Sequence, residues 1–184
     1  MKISEILKTK QVTISFECFP PKTQAKYASV EAATEKVAAL HPDFLSVTYG
    51  AGGGTSKNTV KIASHIKKDL GVPSLAHLTC ASSTREEVHA VIDRLKEEGI
   101  ENILALRGDI PKDASFPIPG QYHYASELIR DIKEQGDFCI GAACYPEGHV
   151  ESASKDEDIL HLKEKVDCGV DFFTTQMFFD NSIL

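Results

Sequence analysis

The chain lacks any Cys-x-x-Cys pair, and its five cysteines, Cys18, Cys80, Cys139, Cys144 and Cys168, are an odd number lying mostly inside or beside apolar runs. That usage fits a reducing cytoplasm and argues against a disulfide framework. No Cys or His pair carries ligand spacing with a second pair behind it, so the signature of a structural zinc site is missing and no metal is expected. Lysine and arginine form no stripe, and the net charge is -7, which argues against a nucleic-acid partner. There is no apolar run of transmembrane length, so no membrane partner is expected. The opening Met1-Lys2-Ile3-Ser4-Glu5-Ile6-Leu7 has no apolar h-region and carries Glu5; it reads as a short amphipathic helix, not an export signal. The glycine-rich Ala51-Gly52-Gly53-Gly54-Thr55-Ser56 lacks the Gly-Lys-Ser/Thr ending of a phosphate loop, which excludes triphosphate chemistry of that kind.

What remains is the composition of a soluble enzyme. With 184 residues, 42% hydrophobic and 26% charged, residues 1–184 can bury a sizeable core as one domain. Six stretches read as buried strands: Val12 to Phe19, Phe44 to Gly50, Ser74 to Cys80, Asn102 to Gly108, Cys139 to Pro146 and Phe172 to Phe179. Helical spacing alternates with them. Val30, Ala33, Val37 and Leu40 follow the first strand, and Val60, Ile62, Ala63, Ile66 and Leu70 follow the second, closed by Gly71. Thr84 with Glu87 makes a capping box that opens a helix ending at Gly99. Two further helices run from Tyr124 to Gln135 and from Asp156 to Cys168. Strict alternation with apolar strands predicts a parallel sheet covered by helices.

Each predicted strand carries a polar or ionisable residue near its C-terminal end: Glu17, Thr48, His77, Asp109, Tyr145 and Gln176. A closed barrel gathers those ends into one rim, where such folds place their chemistry. An open doubly wound sheet is the competing architecture, but the first strand runs into Pro20-Pro21-Lys22 with no Gly-x-Gly-x-x-Gly. The expectation is therefore an α/β chain of (β/α)8 TIM-barrel type. A barrel takes typically ~250 residues, so this one is expected to be truncated after about six strands, incomplete at its C-terminus.

The rim segments resemble those of methylenetetrahydrofolate reductases. Phe16-Glu17-Cys18-Phe19-Pro20-Pro21-Lys22 is similar to the family's Phe-Glu-x-x-Pro-Pro opening, and Ser46-Val47-Thr48-Tyr49-Gly50-Ala51-Gly52-Gly53 to its second-strand loop. His77-Leu78-Thr79-Cys80, Leu106-Arg107-Gly108-Asp109, Ala143 to His149 and Thr175 to Asp180 follow in matching order and spacing. The resemblance covers essentially the whole chain.

It implies an FAD enzyme that reduces 5,10-methylenetetrahydrofolate to 5-methyltetrahydrofolate with NADH or NADPH, in the cytoplasm and as a homo-oligomer when full length. The other expectation is an inactive truncated barrel that only binds FAD or a partner subunit. Among the implied catalytic and substrate-binding residues, Glu17 is the candidate general acid for opening the folate's imidazolidine ring. Wedged between Phe16 and Cys18, it is expected to be desolvated, which would favour its protonated form. Asp109 would place negative charge beside the flavin and hold a cationic iminium. Gln176, expected to be buried among aromatics, would meet the pterin's amide edge with donor and acceptor at once. For FAD the resemblance carries over Thr48, His77, Leu106, Arg107, Gly108, Asp109, Tyr124, Ala125, Ala143, Tyr145, His149, Asp158, His161 and Lys165. Arg107 and Lys165 would neutralise the diphosphate and Asp158 would hold a hydroxyl; His161 stands where the family pattern has Asn. The glycine-rich Ala51 to Ser56 would allow close backbone approach to the flavin ring.

Overall fold

A computed structural model describes residues 1–21, 23–49, 56–110 and 119–183. The glycine-rich Ala51 to Thr55 lies outside the described residues. Strands β1 (Ser15–Cys18), β2 (Phe44–Val47), β3 (Ser74–Thr79), β4 (Asn102–Leu106), β5 (Cys139–Cys144) and β6 (Phe172–Thr175) form one parallel half-barrel sheet, in the order β1-β2-β3-β4-β5-β6. Helices α2 (Tyr27–Ala38), α3 (Ser56–Lys68), α4 (Arg85–Glu97), α5 (Ala125–Gln135) and α6 (Lys155–Asp167) cross between successive strands, and α1 (Ile3–Thr9) precedes them. A strand order that never reverses, combined with right-handed crossovers, sends every connecting helix to the same face of the sheet. A doubly wound sheet would reverse direction at a switch point, and this one has none.

The strand residues divide by the two-residue period. Leu45, Val47, Ala76, Leu78, Ile103, Ala105, Ile140 and Ala142 point outward and join Ile62, Ala63, Ile66, Val88, Ile92, Leu95, Leu128, Ile129 and Ile132 of the helices in the main core. Burial of each such branched side chain stabilises the fold by about 1.5 to 3 kcal/mol. The opposite parity, Leu75, Leu104 and Cys139 with Phe44, Leu106 and Phe172, packs against Ile3 and Ile6 of α1. Buried Asn102 fixes that helix. Its Oδ1 accepts from the Ile3 N–H at 2.8 Å, while Nδ2 donates to the carbonyls of Ser74 at 3.1 Å and Met1 at 3.2 Å. The short amphipathic helix expected at the start of the chain thus covers the N-terminal end of the inner face, leaving the C-terminal end for chemistry.

The expected capping box is present. Thr84 accepts from the Glu87 N–H at 3.2 Å, and Glu87 accepts from the Thr84 N–H at 2.8 Å. The edge strands are shorter than expected. β1 begins at Ser15, with Val12 and Ile14 exposed, and β6 ends at Thr175, with Met177 and Phe179 exposed. Each pairs on one side only, so alternation of apolar residues there does not extend into a ladder.

After α2 the chain turns through His41 at φ 55°, where its amide donates to the Ala38 carbonyl. Gly71, Gly99 and Gly169 take the corresponding left-handed position after α3, α4 and α6. An L-residue in this region costs about 1 to 2 kcal/mol, and His41 is exposed. His41→Gly is therefore expected to stabilise the protein by about 0.5 to 1 kcal/mol after the entropy of the added glycine is subtracted. Urea unfolding checks this, and a less stable variant would show that the imidazole makes a contact worth more than the strain.

Candidate active site

Residues paired across a parallel sheet share a face. Glu17 is in register with Ser46, and Ser46 with Leu75; His77 is in register with Leu104, Leu104 with Gly141, and Gly141 with Phe172. Leu75 and Leu104 touch α1, so Glu17, Ser46 and His77 all stand on the inner face, toward its C-terminal end. Ser46 Oγ donates to Glu17 Oε2 at 3.4 Å, and His77 Nε2 lies 3.5 Å from the same oxygen. The approach of His77 is short enough for an ion pair yet lacks hydrogen-bond geometry, leaving this buried nitrogen without a partner. Burial lowers the imidazole from 6.5 to about 4, so at neutral pH His77 is uncharged and the contact is not a salt bridge. Glu17 itself is 45% exposed. The desolvated setting expected for it is not found here: Phe16 pairs with Leu45 of the outer core, on the opposite face of the strand from Glu17.

The β4 end is built tightly. The Arg107 carbonyl accepts from the amides of Cys80 at 3.1 Å and Ala81 at 2.8 Å, which presses the turn against the end of β3. Gly108 follows at φ +84°, and a Cβ there would sit 2.9 Å from Thr79 Cβ. Only glycine satisfies both constraints. Asp109 is then exposed beyond the turn. The Arg107 guanidinium is held end-on by Glu151, with Nη1–Oε2 at 2.6 Å and Nη2–Oε1 at 2.7 Å. That pair holds Arg107 above, and Glu151 below, their ordinary values.

Four further groups gather around β5 and α6. Tyr145 packs edge-on against His149, ring centroids 4.7 Å apart. Burial raises the Tyr145 hydroxyl, the nearby Arg107 opposes that, and Asp109, Asp158 and Glu151 add to it, which sets all four charges around this ring. Lys165 reaches back from α6 to donate to the Ala143 carbonyl at 2.9 Å. Burial lowers its ammonium despite the attraction of Asp158. Asp158 is buried; its Oδ2 accepts from the His149 amide and its Oδ1 from the Ser152 hydroxyl, each at 3.2 Å. The solvated helix face that a lone Asp would occupy is therefore replaced by a role in shaping the β5–α6 loop. Tyr124, the N-cap of α5, stacks on His161 of α6 with centroids 6.5 Å apart and planes at 28°. Ala125 is buried beside it.

Thr48 and Leu106 complete the rim, the former with its amide on the Cys18 carbonyl at 3.0 Å. Gln176 is the exception. Its amide continues the ladder onto the Cys144 carbonyl at 2.8 Å, but the residue is exposed, not buried among the aromatics around it. It follows β6, at the opposite edge of the sheet from Glu17 on β1. Sequence reasoning missed Ser46 and Glu151. Ser46 carried a signal, its parity with Thr48 on the same strand, whereas nothing local marks Glu151 as the partner of a residue 44 positions away.

Chemically, the rim offers a carboxylate with a hydroxyl and a neutral imidazole beside it, two cations, and a stacked aromatic pair. These suit a planar cofactor bearing phosphates. Among the described residues no group of three His, Cys, Asp or Glu could hold a metal ion, and no helix is long and apolar enough to cross a membrane.

Comparison with known proteins identifies the family. The profile of the family described as methylenetetrahydrofolate reductase matches residues 2–184. A 5,10-methylenetetrahydrofolate reductase of Pectobacterium carotovorum subsp. carotovorum is 39% identical over 170 residues, covering 92% of this chain and 56% of the relative. Methylenetetrahydrofolate reductase 1 of Schizosaccharomyces pombe is 42% identical over 189 residues, covering 98% of this chain and 31% of the relative. The chain thus spans about half the length of the bacterial relative and less of the yeast one. Among solved structures, 2,3-dimethylmalate lyase aligns with a TM-score of 0.64 at 11% identity, over 98% of this chain and 63% of that one. An uncharacterized protein from Clostridium thermocellum, which binds two copies of 5-methyl-5,6,7,8-tetrahydrofolic acid, aligns with a TM-score of 0.60 at 18% identity, over 98% and 59%. At such identities these two speak for the fold alone.

Proposed function

The chain belongs to the methylenetetrahydrofolate reductase family, and on that footing we propose that its rim binds FAD and 5,10-methylenetetrahydrofolate at the mouth of a (β/α)8 barrel and serves the reduction of that folate to 5-methyltetrahydrofolate by NADH or NADPH. The observation that carries this reading is the inner-face cluster of Glu17, Ser46 and His77, with Arg107, Tyr145 and Lys165 on neighbouring strand ends and helix. The residues present fit FAD. His77 Nε2 is a buried polar atom without a partner, as expected of a group that meets a ligand. Arg107 and Lys165 are two cations for a diphosphate, and the Tyr124–His161 stack offers a surface to an adenine. FAD would supply the carriage of two electrons from nicotinamide to folate.

The chain's own residues would do the rest. Glu17 would give a proton to the folate nitrogen that leaves when the five-membered ring opens to a cationic iminium, and Asp109 would hold that cation with its carboxylate. Ser46, donating to Oε2, orients the Glu17 carboxyl while leaving Oε1 for the proton. Gln176 would meet the pterin amide, a contact its exposed position leaves sterically open.

The test is the absorption spectrum of the purified protein, followed by FAD titration with the protein's fluorescence as readout. Flavin bands and saturable FAD binding are expected. A protein that carries no flavin and takes up none would overturn the reading.

A further inference from the structure

The geometry points to Glu151 as a positioning residue for the cofactor's diphosphate, acting through Arg107; the inference rests on the FAD reading above. Arg107 leaves the end of β4, and its guanidinium is clamped end-on by a carboxylate from the β5–α6 loop. A bidentate carboxylate fixes the plane of a guanidinium as well as its place. The loop that carries Glu151 is itself pinned. The Glu151 amide donates to His149 Nδ1 at 3.2 Å, the Ser152 amide to the His149 carbonyl at 3.0 Å, and both the His149 amide and the Ser152 hydroxyl to buried Asp158. Rigidity therefore passes from Asp158, through the loop, to Glu151 and so to Arg107 at the end of β4.

Arginine has a long side chain with much rotamer freedom, and ordering it before the ligand arrives removes that cost from binding. A competing role, with Glu151 occupying the place of the diphosphate, would require its carboxylate to leave when FAD binds. The pinned loop opposes such movement. Glu151 is 53% exposed, so water screens its charge from an approaching phosphate while the guanidinium, 20% exposed, keeps its orientation.

A double-mutant cycle read by FAD affinity tests this, with parent, Glu151→Gln, Arg107→Ala and the double variant titrated under the same conditions. Glu151→Gln alone is expected to weaken FAD about tenfold, a loss of about 1.4 kcal/mol. In the Arg107→Ala background the same substitution is expected to leave affinity unchanged or to raise it, because an unpaired carboxylate near a diphosphate only repels. Melting temperatures of the four proteins separate binding from folding. Equal weakening in both backgrounds would make Glu151 merely structural, and tighter binding by the single variant would make it a competitor; either result overturns the inference. If the parent binds FAD and Glu151→Gln matches it, only the role of Glu151 falls. A parent that binds no FAD would overturn the flavin reading and this inference with it.

Discussion

Glu17→Gln is expected to lower folate reduction by about 100-fold or more while leaving flavin reduction by NADH or NADPH within about twofold of the parent, since positioned general acids contribute roughly 10²- to 10⁴-fold to the step they serve. The amide keeps the size of the side chain and can still accept from Ser46, so the inner face should stay assembled. What it cannot do is deliver a proton to the departing folate nitrogen. Nicotinamide oxidation involves no ring opening and asks for no such acid. Stopped-flow measurement of the two half-reactions, with FAD content checked beforehand, separates them. Near-normal folate reduction by the variant would remove Glu17 from the mechanism. Equal loss in both half-reactions would indicate that the carboxylate shapes the flavin seat instead.

The strength of that expectation depends on how Glu17 is set among its neighbours, which the amino-acid sequence reveals only in part. Its place on a strand end was legible, because apolar runs punctuated by one polar residue repeat along the chain and the alternation of strands and helices admits few topologies. Parity along β2 and β3 likewise puts Ser46, Thr48, His77 and Thr79 on one face without any coordinates. Exposure was not legible. Whether a carboxylate between Phe16 and Cys18 is dry depends on what lies across the sheet, and Phe16 shares the opposite face of β1 with Leu45 of the outer core. The burial expected of Gln176 is absent for the same reason: aromatic neighbours in sequence read as a buried setting, yet β6 is an edge strand, Phe178 is only half-buried and Phe179 is in water.

Long-range pairs are the other illegible class. Asp158 as the pin of the β5–α6 loop and Glu151 as the clamp on Arg107 arise because the chain returns to the rim after each crossover. A helix-face periodicity reading places Asp158 correctly on the first turn of α6 and then assigns it to solvent. Local patterns register what a residue's own element needs, such as the Thr84 cap, and remain silent about which strand end it will meet.

His77 carries the second large expectation, a loss of stability on mild acidification. A folded value depressed from 6.5 to about 4 by burial corresponds to about 3 kcal/mol. The sign follows from proton counting: between those two values the unfolded chain binds a proton that the native chain does not, so stability is complete above about pH 6.5 and falls as pH drops toward 4. Glu17 acts in the other direction, since its carboxylate at 3.5 Å attracts an imidazolium. Glu17 is 45% exposed, and at a dielectric close to that of water such a contact is worth only about 1 kcal/mol. Burial, with the imidazole 9% exposed, wins. Urea unfolding of the flavin-free protein from pH 7.5 to pH 4.5 is therefore expected to show the parent losing about 2 to 3 kcal/mol more than His77→Gln, whose amide does not titrate. Parallel curves for the two proteins would mean that Glu17 neutralises the cost of burying the charge. In that case His77 would titrate in the folded chain as it does in the unfolded one and become a cation only below about pH 6.5, paired there with the carboxylate that the proposed mechanism needs as an acid.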